Sequence, residues 1–419
     1  MTEVGLDAEE SFVERTVSAY DNPGIPYEVA STIPDKRRSK WREIIIGFSP
    51  SWFTACMGTG IVAVLFYFIP FEARWLYYLS IILFILDAIL FCIISFITIL
   101  RYALEPTLWR ATLTDPAIAP FLGTIPIAFV ILIELWVFIC VPLWGEWAST
   151  LAWVCWIVDA IFAVIITTSL SFQLMSKSHL DSLKMVTAVQ LLPIASTVIA
   201  SGVGAEVAGV LPSHGRAQAT LVASFVLWGM AMPLSGIILI IYYQRLAVHK
   251  LPSREVIVSC FLPLSPLGFG SYSIMYMGKV ARSLLADSEP AIAIAGEVAF
   301  MFCMLIGLII WSFGLTWFAF ALASIYHSWP FPFNMGWWGF TFPLGVFAAS
   351  TIELGLGMSS LFFRILGTVF SAIVIILWIV VSLGTLRGLW KRSLLVAPVI
   401  PVIPREEPIP SDGFSSDFW

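Results

Sequence analysis

Ten long, nearly uncharged apolar runs constrain this chain more than any other feature. They fall at about residues 47–69, 74–101, 120–143, 147–174, 185–211, 217–245, 255–284, 291–326, 333–355 and 361–391. Each reaches the roughly 20 residues that a helix needs to cross hydrocarbon at 1.5 Å per residue. Ten-residue segments of alternating polarity are absent, which argues against a β-barrel. With 59% of its residues hydrophobic and 12% charged, the chain carries more apolar surface than a soluble core can use. The class that follows is an all-α integral membrane protein with ten transmembrane helices.

The ends differ in composition from the middle. Residues 1–44 are polar, acidic at first and basic from Lys36 to Arg42, and 393–419 are polar and rich in proline. Both read as disordered tails on a transmembrane domain over 45–392. The first 40 residues contain no apolar h-region, so no cleaved signal peptide is expected. Ten spans place both termini on one side. The loops and tails of that side hold 17 of the 22 Lys and Arg residues, while Arg74, Arg216, Lys279, Arg282 and Arg364 lie opposite. Lysine and arginine accumulate on the cytoplasmic side of membrane proteins, so both termini are expected in the cytoplasm.

The ninth run contains the residues least suited to a plain membrane helix. Gly336, Gly339 and Gly345 remove bulk from it, and Pro343 removes a backbone N–H and forces a bend. Lipid tolerates a freed carbonyl only where it faces protein or a water-filled cavity. Phe342 stands directly before that proline, so the segment reads as the wall of a pore with a plug at its bend. Other odd-numbered runs share the pattern. Pro50, Pro126, Pro193, Pro266 and Pro343 recur at intervals of 76, 67, 73 and 77 residues, each about one helical hairpin. Small and hydroxylated residues gather beside them, including Gly58, Thr59, Thr124, Gly270 and Ser271. Even-numbered runs are bulkier and smoother. The expected architecture is five helical hairpins around a central pore, with the odd-numbered helices kinked and inner and the even-numbered helices outer.

At this point the residues resemble a known family. GWWGFTFPLG at 336–345, followed by STIELG at 350–355, resembles the ninth span of the tellurite-resistance/dicarboxylate transporter family. That family includes plant guard-cell anion channels, fungal malate transporters and fungal sulfite efflux pumps. FSPSWFTACMGTGI at 48–61, the stretch from Glu72 to Leu76, Gly123–Pro126 and PLSPLGFGSYSIMYMG at 263–278 look most like the sulfite efflux branch. The resemblance implies ten helices around one pore per protomer, a homotrimer, and occlusion of the pore by the phenylalanine before the ninth-span proline. That residue is Phe342 here.

A small oxyanion must then pass through hydrocarbon. Ammonium groups along the path would hold it too tightly, because conduction needs weak, serial sites. Helix N-termini offer oriented N–H groups and partial positive charge instead. Thr54, Thr59, Thr124, Thr197, Ser265, Ser271 and Thr341 are candidate hydroxyl donors, with Gly58, Gly270 and Gly345 giving room. The alternative for each hydroxyl is a helix–helix hydrogen bond. Arg74, Lys279 and Arg282 lie near the outer mouth, where they either attract anions or form a solvated rim. The membrane-embedded carboxylates are Asp87, Glu134, Asp159, Glu206, Glu297 and Glu353. Glu353 either binds a proton coupled to transport or pairs with a base such as Arg364.

Several classes receive no support. His179, His214, His249 and His327 lack metal-ligand spacing, all six cysteines sit in apolar runs, and there is no Walker A motif. No nucleophile–base constellation stands out, and no cofactor, metal or nucleic-acid partner is expected. The function expected from the resemblance is export of sulfite or hydrogensulfite across the plasma membrane. A C4-dicarboxylate such as malate and an inorganic anion such as chloride or nitrate are the alternatives, and lipid and further copies of the chain are the only other partners.

Overall fold

The computed structural model describes residues 42, 45–71, 73–176, 183, 186–286, 289–391 and 394. The two tails expected to be disordered lie almost wholly outside the described residues. Ten helices are long and apolar enough to span a membrane: α1 (Pro50–Phe68), α2 (Arg74–Leu104), α3 (Ala119–Trp144), α4 (Glu146–Ser176), α5 (Ala188–Val210), α6 (His214–His249), α7 (Ile257–Leu285), α8 (Pro290–Ser328), α9 (Met335–Gly357) and α10 (Leu361–Trp390). No strand occurs among the described residues. The turn from α3 to α4 is one residue long, and Gly145 fills it at φ +74°, a conformation that a side chain would disfavour.

Burial separates the helices into two classes. Within the most apolar 18 residues of each, 67–94% are buried in the odd-numbered helices and 22–39% in the even-numbered ones. The odd helices contact one another in the cycle α1–α3–α5–α7–α9–α1, which closes a ring of five. The even helices pack on the outside of this ring and present Ile, Leu, Val and Phe outward. In hydrocarbon such an outward face costs nothing, so the helices facing lipid can be the smoother and more apolar set.

The inner helices also begin differently. Each opens on a short 3₁₀ turn before it becomes α-helical: Pro50–Trp52, Ala119–Gly123, Ala188–Gln190, Ile257–Phe261 and Met335–Trp337. Ser49 caps the first of these by accepting from the Ser51 N–H at 3.3 Å, and Asn334 caps the last by accepting from the Gly336 N–H at 2.8 Å. The outer helices start as α-helix directly. The five 3₁₀ turns touch in the order of the chain, so five helix N-termini lie side by side at one end of the ring.

Small residues allow the close approach. A Cβ on Gly123 would stand 2.7 Å from the Pro193 backbone, and one on Gly268 would stand 2.8 Å from the Phe347 nitrogen. Tryptophans then brace the ring from outside. The indole N–H of Trp156 on α4 donates to the Ala200 carbonyl of α5 at 2.8 Å, and that of Trp228 on α6 donates to the Gly270 carbonyl of α7 at 2.9 Å. Trp311 on α8 donates to Thr351 of α9 at 2.8 Å, and Trp378 on α10 donates to Thr59 of α1 at 3.1 Å. Four outer helices are thus each tied to the next inner helix, the last bond joining the end of the domain to its beginning. Buried indoles need such partners, because no water is present to take the N–H.

Candidate functional site

Helical geometry identifies which side chains face the interior of the ring. Successive residues turn by about 100°. On α9, Thr341 and Gly345 lie against α1, where they meet Gly58 and Ile61. Phe347 stacks on Trp311 of α8 at 5.5 Å, and Thr351 accepts from the same tryptophan. The stripe left between these contacts is Phe342, Val346, Ala349 and Glu353, all buried. On α7, Ser273 faces α5, Gly268 faces α9, and Ser271 donates to the Gly307 carbonyl of α8. The stripe left there is Ser265, Phe269, Tyr272, Tyr276 and Lys279.

One ring contact fixes this assignment independently. Phe68 of α1 lies 5.8 Å from the Tyr272 ring of α7, although α1 and α7 are not neighbours around the ring. Both rings therefore reach across its interior. The same geometry turns Met57 and Val64 of α1, Ile127 and Glu134 of α3, and Ile199 and Glu206 of α5 inward.

The interior has two chemically distinct halves. Toward the 3₁₀ ends it is bounded by Met57, Ile127, Ser265, Phe269 and Phe342. The Ser265 hydroxyl is buried without a hydrogen-bond partner. Phe342 is 2% exposed, and among the described residues no aromatic ring pairs with it. Its neighbours differ: Phe340 packs on Phe261 at 5.0 Å, and Phe347 packs on Trp311, Phe318 and Phe370.

Toward the other end the interior is acidic. The Tyr272 hydroxyl donates to Glu206 Oε1 at 2.7 Å, while Glu206 Oε2 and Glu134 Oε2 have no partner. Glu134 and Glu353 both lie within electrostatic reach of Glu206, as does the opposite charge of Lys279. Lys279 Nζ is 3.5 Å from Glu353 Oε1 and 4.9 Å from the centre of the Tyr276 ring. A cavity of about 190 Å³ lined by Gly209, Tyr276, Lys279, Val280, Ser283 and Leu284 adjoins this cluster. From Phe342 to Glu353 the axial distance is about 16 Å, eleven residues of helix.

The structure distributes the residues singled out from sequence as follows. Pro126, Pro193 and Pro266 each occupy the third residue of the α-helical part of their span, in its first turn, and Pro343 alone among them lies inside its helix. Most of the candidate hydroxyls bond to helix backbone. Thr54 donates to Ser51, Thr59 to Ala55 and Thr341 to Trp338, while Thr124 donates to the Pro50 carbonyl across the α1–α3 contact. Thr197 pairs with Thr167 of α4 at 2.7 Å, and Ser271 points outward to α8. Gly58 and Gly345 form the α1–α9 contact, and Gly270 lies beside Met232 of α6. Ser265 is the candidate hydroxyl that faces the interior unpaired.

The charged candidates also separate. Arg74 is exposed at the first residue of α2. Arg282 lies 3.8 Å from Glu297 and 4.1 Å from the centre of the Phe300 ring. Glu353 pairs with Lys279, not with Arg364, whose Nε donates to the Gly355 carbonyl at 3.2 Å. Sequence reasoning did not combine Glu134 and Glu206 with Glu353, and did not single out Tyr272 or Phe68. A signal was present, since Glu134, Glu206 and Glu353 follow Pro126, Pro193 and Pro343 by 8, 13 and 10 residues.

A closed ring of five buried helices inside five more exposed ones, all long and apolar enough to cross a membrane, defines a polytopic helical membrane protein. Residues 47–386 match the SLAC1 family, described as voltage-dependent anion channel. The chain belongs to this family, which is the one its ninth span resembles. Among its relatives, the sulfite efflux pump SSU1 of Arthroderma benhamiae is 44% identical over 346 residues, covering 83% of this chain and 92% of that protein. The sulfite efflux pump SSU1 of Candida albicans is 27% identical over 397 residues, covering 86% and 80%. The malic acid transport protein of Schizosaccharomyces pombe is 23% identical over 360 residues, covering 83% and 80%.

Proposed function

We propose that this protein exports sulfite, as the hydrogensulfite anion, through the interior of the five-helix ring, with Phe342 as the gate. The observation that carries the reading is the position of Phe342. It is a buried ring on the inward stripe of α9 with no aromatic partner among the described residues, whereas Phe340 packs edge-on against Phe261 and Phe347 stacks on Trp311. A side chain with no stack to break can turn aside at low cost, and Pro343 beside it removes the local hydrogen bond that would stiffen the helix. Five adjacent helix N-termini at the near mouth supply partial positive charge that draws an anion in without fixing it. Lys279, Arg282 and Arg74 at the far mouth draw it out.

In the orientation expected from the positive charges, the 3₁₀ ends face the cytoplasm and the membrane is the plasma membrane. A negative interior then drives each anion outward with about 2.3 kcal/mol per 100 mV, so no nucleotide is needed. Three protomers, each with its own route, are the assembly the resemblance implies. The preference for sulfite rests on the efflux pumps that are 44% identical to the chain.

The test is flux from the purified protein in liposomes loaded in parallel with sulfite, malate, chloride or nitrate at a set membrane potential. Sulfite is expected to move faster than malate, and Phe342→Ala to raise the flux about tenfold, a barrier change of about 1.4 kcal/mol. Malate flux at or above that of sulfite would replace the substrate. Unchanged flux in a well-folded Phe342→Ala protein would remove the gate.

A further inference from the structure

We propose that Glu206, with its partners Tyr272, Glu134 and Glu353, forms a proton-binding site inside the ring that must be loaded for an anion to pass. The proposal rests on the reading of the ring interior as the anion route. Its basis is a charge count at one place. Three carboxylates from three different helices lie within electrostatic reach of one another, and among the described residues Lys279 is the one cation that acts on Glu206. Fully ionised, the group carries two negative charges more than positive in the part of the ring an anion must cross. A loaded proton removes part of that repulsion.

The hydrogen bonds show where the proton goes. Glu206 is fully buried, and its Oε1 already accepts from the Tyr272 hydroxyl at 2.7 Å. Oε2 is the free oxygen, and an O–H formed there leaves the carbonyl-like Oε1 to accept from Tyr272 as before. The proton comes from water in the cavity bordered by Gly209, one helical turn from Glu206, and by Tyr276 and Lys279. It returns there when the site empties. The step forms and breaks only O–H bonds.

The surroundings of Glu206 are accounted for helix by helix. From α3 it meets Glu134, from α7 Tyr272, Tyr276 and Lys279, and from α9 Glu353. On α4, Trp156 bonds to Ala200 and Thr167 to Pro193, so Asp159 between them lies beside the other half of α5. On α6, His214 and Arg216 are exposed, with Arg216 over the Trp153 ring at 5.3 Å. On α1, Tyr67 stacks on Phe138 at 5.1 Å.

The experiment measures efflux from liposomes against pH, using whichever of sulfite, malate, chloride or nitrate the unmodified protein moves fastest. For sulfite the total is adjusted so that hydrogensulfite stays constant at every pH. The expected profile falls with rising pH, approaching tenfold per pH unit as one required proton is lost. Glu206→Gln, which is neutral at every pH, is expected to retain flux and flatten the profile, and Glu206→Asp to restore its slope. Tyr272→Phe removes the donor to Oε1 and is expected to displace the profile to higher pH without flattening it, which keeps the test available if Glu206→Gln does not fold. A flat profile in the unmodified protein, or an unaltered slope in a folded Glu206→Gln protein, would overturn the proton site and leave the anion route standing. Absence of flux for all four anions would remove the anion route itself, and the proton site with it.

Discussion

Followed from their 3₁₀ ends to their far ends, the same five helices change the chemistry of the space they enclose. The first half is bounded by Met57, Ile127, Phe269 and Phe342, with the Ser265 hydroxyl as its unpaired polar group. The second half gathers Glu134, Glu206, Glu353, Tyr272 and Lys279. Two kinds of barrier follow. On the proposed route, an anion entering the first half would meet a steric and dehydration barrier made by one phenyl ring. In the second half it would meet an electrostatic barrier, which the proposed proton site makes dependent on pH. Separating the two by about 16 Å lets each be altered without rebuilding the other.

The largest expected effect tests the ring that both halves depend on. Gly123→Leu forces a side chain into the Pro193 backbone, which cannot move aside as a side chain would, and puts overpacking at the upper end of its usual range, about 3 kcal/mol. The variant is expected to yield no monodisperse protein on size exclusion. Gly229→Leu on α6, where no atom lies within 4 Å of the added Cβ, is expected to behave as the parent.

Next comes the contrast between two phenylalanines of one helix. Phe342→Ala is expected to raise anion flux about tenfold with little change in melting temperature. Phe347→Ala breaks the stack on Trp311 and is expected to cost about 3–5 kcal/mol of stability without opening the route. Equal behaviour of the two in flux and melting assays would erase the distinction between interior and packing faces of α9.

Smaller effects sharpen the picture. Ser265→Ala removes a hydroxyl that bonds to nothing in the resting protein, so thermal stability should hold. Flux is expected to fall about fivefold if that hydroxyl donates about 1 kcal/mol to the passing anion, and unchanged flux would show that the first half offers no polar contact. Trp378→Phe keeps an aromatic ring but removes the indole N–H that donates to Thr59, along with part of the ring's packing. It is expected to lower stability in detergent by about 0.6 kcal/mol, read as a small shift in melting temperature with normal flux.

The membrane topology could be read from the chain because hydrocarbon thickness imposes it. The run expected at 291–326 is the helix Pro290–Ser328, and the run expected at 333–355 is Met335–Gly357. Which helices are buried was also readable, since prolines and glycines cluster where helices must touch and are costly where they face lipid. The lining of the interior was much less so. Thr59 and Thr341 were open between pore donors and helix–helix bonds, but a helical hydroxyl can also bond to the carbonyl three or four residues earlier, and both do. The partner of Glu353 depended on how α7 is rotated against α9, and local sequence does not state that rotation. Glu134, Glu206 and Tyr272 became one group only when three helices were set side by side.

The tryptophan braces bear on how such a chain is made. Three of the four join an outer helix to the inner helix that follows it directly in the sequence, so each can form as soon as the next segment leaves the ribosome. The fourth joins Trp378 to Thr59 across 319 residues. Until α10 has been inserted, α1 lacks one of its flanks, and Thr59, which donates to Ala55, has not yet accepted its bond from Trp378. The ring itself closes one helix earlier, where α9 meets α1, and α10 then completes the outer layer over that contact. A chain truncated before α10 would leave the outer side of α1 uncovered, an open seam that cellular quality control could recognise.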